Sequence, residues 1–111
     1  MTTVENLEKA IREVAERERA YGDAVQNEAE TEYSYKIAQA TEYLKADGTV
    51  DERKAIALTN CKTQYKAYLT AQATKAFCDA KLKDAQSAMN ARQSLLRFQT
   101  QTNFGEMRTG A

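Results

Sequence analysis

Lys45-Ala46-Asp47-Gly48-Thr49-Val50-Asp51-Glu52 is the stretch that decides the fold. Gly48 suits the left-handed terminus of a helix. Thr49 and Glu52 then have the spacing of a capping box, in which hydroxyl and carboxylate satisfy reciprocal backbone donors of a new helix. A stop and a start this close together predict a tight antiparallel reversal at Asp47-Gly48-Thr49.

Working outward, the upstream arm reads as one helix over 3–46. Thr2 or Thr3 supplies the hydroxyl cap, and Glu5 and Asn6 lie in the first turn. Val4, Leu7, Ile11, Val14, a polar Glu18, Tyr21 and Val25 step alternately by three and four, the spacing of a heptad seam. After Val25 the steps become four and four, through Ala29 to Tyr33, before Ile37, Ala40 and Leu44 resume the pattern. Such a stutter locally unwinds a supercoil. Gly22 beside it marks a weak point where a kink or short break is open.

The downstream arm reads as a single helix over 50–99, with 47–49 as the turn. One row holds Leu58, Tyr65, Leu69, Ala73, Ala76 and Ala80, and another holds Cys78, Leu82, Ala85, Met89 and Leu96. A third holds Phe77, Ala88, Ala91, Leu95 and Phe98. One partner helix cannot cover all three, so self-association is expected, with Cys78, Leu82, Met89 and Leu96 as its candidate contacts. Residues 100–111 carry two glycines and little periodicity, which predicts a flexible tail with Phe104 and Met107 as docking points.

Composition agrees with this reading. Proline and tryptophan are absent, and strong helix formers dominate the 111 residues. Alanine inflates the hydrophobic fraction while burying little area, so a globular core would be hard to fill. The expected fold class is therefore all-α: a long, coiled-coil-like antiparallel hairpin that self-associates into a helical bundle.

Formal charge is zero, but residues 1–46 hold ten acids and six bases, and residues 47–111 the reverse. Oppositely charged antiparallel arms attract, although exposed pairs contribute only about 0.2–1 kcal/mol each. A basic surface for nucleic acid is the other reading of the same asymmetry. Cys61 and Cys78 lie too far apart on one helix to bridge, which favours a reduced, cytoplasmic setting. The N-terminal residues lack a signal-peptide pattern, and no apolar stretch approaches the ~20 residues of a membrane span.

Histidine is absent, removing the commonest general base and metal ligand. Two cysteines fall short of a structural zinc set, and no glycine-rich phosphate loop occurs. Catalytic residues, cofactor, metal and small-molecule substrate are accordingly not expected. Tyr33, Tyr35, Tyr43, Tyr65 and Tyr68, interleaved with Lys36, Lys45, Lys62 and Lys66, either fill the seam or offer a stacking surface to single-stranded DNA. Tyr35 and Tyr68 fall off the expected seams, and so join Lys62 and Lys66 as a candidate interaction surface. Lys81, Lys83, Arg92 and Arg97 make the far end of the second arm basic, which the helix dipole also favours. Lys81, Arg92 and Arg97 complete the candidate surface.

The stretch Tyr43 to Gln99 resembles a group of small helical proteins encoded by tailed phages and prophages. The Gly48-Thr49 turn, the Glu52-Arg53-Lys54 that follows and the closing Ser87-Ala88-Met89-Asn90-Ala91-Arg92-Gln93-Ser94-Leu95-Leu96-Arg97 carry the likeness. Genes of that group often lie beside recombination and single-strand-binding genes. The resemblance implies a non-enzymatic accessory protein of the host-cell cytoplasm, binding a protein partner or DNA during recombination or replication. An inhibitor of a host defence nuclease is an alternative, anti-CRISPR-like or imitating nucleic acid through Glu28, Glu30 and Glu32. A virion structural or scaffolding coiled coil is a third.

Overall fold

The structure, a computed structural model, describes residues 2–109, with side chains through Thr102. Among the described residues the chain is all-α, a long helical hairpin of α1 (Thr3–Lys45), α2 (Val50–Asn60) and α3 (Lys62–Thr109). Thr2 is the cap of α1. Its hydroxyl accepts from the Glu5 amide at 3.1 Å, and its own amide donates to the Glu5 carboxylate at 3.3 Å. The reversal follows the expected chemistry. Gly48 has φ 116°, and Thr49 and Glu52 form a complete capping box.

The downstream helix differs from the single 50–99 expected. Cys61 departs from helical geometry at φ −106°, ψ 19° and divides α2 from α3. Its amide still reaches the carbonyls of Ala57 and Leu58, and the Tyr65 amide reaches its own carbonyl at 2.9 Å. The ladder is therefore loosened for one turn and not cut. At the far end α3 runs to Thr109, ten residues past Gln99. Without proline, this segment holds no strong stop, and Gly105 alone costs a helix only about 1 kcal/mol. The side chains of Phe104 and Met107, expected as docking points, lie outside the described ones.

The chain divides into two compact units, Tyr21–Cys78 and Met1–Ala20 with Asp79–Ala111. In the first, Glu28 faces Lys75, Tyr35 faces Tyr68 and Glu42 faces Asn60. Ala24, Ala57, Cys61 and Ala71 are buried there, and Ala38, Gln64 and Cys78 are half-buried. In the second unit, Val14 and Ala85 are buried, and Leu7, Ala10, Arg17, Leu82, Met89 and Leu96 are half-buried.

These positions correct the expected seam in part, since Leu7, Val14 and Tyr21 are covered as expected. On α1 the covered row is Leu7, Ala10, Val14, Arg17, Tyr21, Ala24, Glu28, Thr31, Tyr35, Ala38 and Glu42. It alternates steps of four and three without the stutter expected after Val25. Val4, Ile11, Val25, Tyr33, Ile37 and Leu44, all placed on the seam by sequence, are exposed. Small side chains permit closer helix approach, and in the unit Tyr21–Cys78 the buried positions are Ala24, Ala57, Cys61 and Ala71. Leu7, Val14, Leu82, Met89 and Leu96 instead fill the seam of the other unit.

Gly22 does not break α1, which continues through it. A Cβ added there meets nothing within 4 Å. Gly22→Ala is therefore expected to stabilise the fold by about 0.5–1 kcal/mol through reduced backbone entropy in the unfolded chain. A urea midpoint unchanged or lowered would contradict this.

Candidate functional site

The residues singled out from sequence do not form one surface. Tyr35 and Tyr68 are covered seam positions, stacked with ring centroids 6.3 Å apart, and Tyr65 closes on Tyr35 at 5.1 Å. The Tyr68 hydroxyl accepts from Gln72 at 2.8 Å. This reverses the expectation: Tyr33, placed on the seam, is 69% exposed, and Tyr35 and Tyr68 form part of the packing. Lys62, Lys66 and Arg97 are exposed. Cys78, Leu82, Met89 and Leu96, proposed for self-association, are half-buried along the hairpin's own seam. The sequence groups these four with Ala85 in one row, but that row was assigned to a second subunit.

The acidic trio is also dispersed. Glu28 pairs with Lys75 at 3.4 Å within the seam, Glu32 with Lys36 at 2.8 Å, and Glu30 accepts from Gln26 at 3.2 Å. Glu30, two residues from each of the others, points to nearly the opposite side of the helix from Glu28 and Glu32, so the three carboxylates form no common face. The Glu32 hydrogen bond and charge raise the Lys36 pKa above its ordinary value, holding the ammonium charged.

Arg53 has a role that sequence did not signal. Its Nε and Nη2 donate to the Tyr43 carbonyl at 3.2 and 3.1 Å, and its guanidinium lies 4.2 Å from the Tyr43 ring centroid. It thereby joins the Ala46 amide, at 3.3 Å, in donating to a carbonyl at the end of α1, where the regular intrahelical ladder runs out. Beside this contact a groove of about 460 Å³ opens among Ala40, Tyr43, Leu44 and Ala57, edged by Lys36 and Lys54. Leu44 at its edge is 76% exposed.

A second groove, of about 350 Å³, lies within the other unit. Asn6, Lys9, Ala10, Glu13 and Arg17 line it from α1, and Lys81, Asp84, Ala85, Ala88 and Arg92 from α3. It brings the sequence candidates Lys81 and Arg92 together with Lys9 and Arg17, two bases of the acidic arm that sequence reasoning passed over. Arg17 is held by Glu13 at 3.6 Å.

Cys61 is 1% exposed, and burial, then the Glu42 carboxylate, pushes its thiol pKa up. As pH climbs past the ordinary thiol range of about 8.5, the unfolded chain loses this proton first. The folded state then holds more protons, so stability falls with rising pH. Urea titrations above that range are expected to show this decline, and Cys61→Ala to flatten it. An identical slope in the variant would refute the assignment.

Among the described residues no helix is long and apolar enough to cross a membrane, and no three histidine, cysteine, aspartate or glutamate side chains gather as metal ligands. Compared with protein-family models, curated proteins and solved structures, the chain shows no significant match to any.

Proposed function

We propose that the protein is a non-enzymatic binding module that works as an assembly of hairpins, packed through the large apolar side chains their seams leave outside. One observation carries this reading: the buried core is Val14, Ala24, Ala57, Cys61, Ala71 and Ala85, while Ile11, Tyr33, Ile37, Leu44, Leu58, Leu69, Phe77, Leu95 and Phe98 are exposed. The apolar flank, and not the seam row of Leu82, Met89 and Leu96, is the contact surface in this reading. The resemblance to phage-encoded helical proteins gives it a setting, accessory binding during DNA recombination or replication.

Light scattering across micromolar concentrations tests the assembly. A multimer is expected, and the double variant Leu95→Glu/Phe98→Glu should shift it towards monomer with helicity retained. A strict monomer at every concentration would sink the proposal.

A further inference from the structure

The alanine-floored groove of the unit Met1–Ala20 with Asp79–Ala111 has a composition that assembly does not call for. Four cations, Lys9, Arg17, Lys81 and Arg92, line it from both helices against two carboxylates, Glu13 and Asp84. The net balance is two positive charges. Among the described residues neither Lys9 nor Arg92 is ion-paired. Arg17 is half-buried and held by Glu13 at 3.6 Å, which limits the directions its guanidinium can take. Alanines at 10, 85 and 88 keep the floor low, so the long cationic side chains stand around an open depression and do not close over a large apolar neighbour.

We propose that this groove binds phosphate. Two guanidinium forks and two ammonium groups suit phosphate oxygens, since arginine offers paired donors and lysine a point charge. A phosphate monoester carries a charge of about −1.5 to −2, matching the net balance of the lining. No aromatic ring lines the groove, so recognition runs through phosphate oxygens and not through stacked bases. Phosphate is the shared chemistry of two sources, a small phosphate compound and the backbone of a single DNA strand.

Full-length protein is titrated with inorganic phosphate by calorimetry, and with a labelled oligothymidylate by anisotropy at low and moderate salt. Binding of either probe is expected, with Lys9→Glu and Arg92→Glu each weakening it by about tenfold or more. Lys66→Glu, outside the groove, should change it by much less. Circular dichroism confirms that each variant is folded, and exposed Lys9 provides the test if Arg92→Glu is not. Oligonucleotide affinity that falls steeply with salt and depends on Lys9 and Arg92 assigns the groove to a strand. Phosphate binding with the same dependence, and no oligonucleotide binding, assigns it to a small compound. Failure of both probes at millimolar concentration, or unchanged binding in Lys9→Glu and Arg92→Glu, overturns the proposal.

Discussion

Gly48→Ala is expected to lower the unfolding free energy by about 1–3 kcal/mol, the range for a non-glycine residue forced into a sparsely populated backbone region. Gly48 holds φ 116°, where a side chain is strained whatever the space around it. Space is also lacking: an added Cβ would meet the Glu52 carboxylate and lie 3.3 Å from the Glu52 Cβ. Glu52 can swing aside only by giving up its contact with the Thr49 amide at 3.4 Å, half of the box that starts α2. Strain and cap loss are therefore coupled. In a Glu52→Ala background the same Gly48→Ala change should cost measurably less, and a double-mutant cycle by urea denaturation reads that difference. A single-variant loss below about 0.5 kcal/mol would place Gly48 among ordinary surface positions.

Ala71→Leu is expected to cost about 1–3 kcal/mol, while Ala73→Leu changes stability by less than about 0.5 kcal/mol. The two alanines are neighbours in sequence and opposites in environment. Ala71 is 2% exposed, whereas Ala73 is exposed on the outer surface. Leucine at 71 must force the arms apart at a line built for small side chains, and at 73 it projects into solvent. Thermal or urea unfolding of both variants therefore measures which face is the seam. Equal costs, or a larger one at 73, would restore the row through Leu58, Tyr65, Leu69 and Ala73.

That comparison also marks how far the sequence could be read. The reversal was fully legible, because glycine at a left-handed position and a capping box act through neighbours a few residues apart. Helix content was legible for the same reason. The seam was legible only in part. Leu7, Val14 and Tyr21 on the first arm and Cys78, Leu82, Ala85, Met89 and Leu96 on the second read as rows and are covered. Hydrophobic periodicity also favours Val25, Tyr33, Ile37, Leu58 and Leu69, which are exposed, and the covered row includes Glu28, Tyr35, Tyr68 and Lys75. These polar groups are tolerated because they meet across the arms, Glu28 with Lys75 and Tyr35 with Tyr68. Such pairings depend on register, which one helix considered alone does not contain. The basic groove was half legible. Lys81 and Arg92 stood out on the second arm, but Lys9 and Arg17 were masked by the acids around them.

The pairing of Glu28 with Lys75 has a consequence for fidelity. The alanines of the covered rows recur only every fourteen residues, at 10, 24 and 38 and at 57, 71 and 85, so moving one arm by a heptad exchanges each of them for a different residue. The paired polar groups act as index marks along the same rows. After such a shift Glu28 would oppose Tyr68 and Tyr35 would oppose Cys61, leaving Lys75 without its carboxylate. A partly covered charge left without its partner is penalised more than the pair is rewarded. The arms are thus held in phase by mismatch avoidance, and every copy of the chain presents its outer apolar rows at the same height.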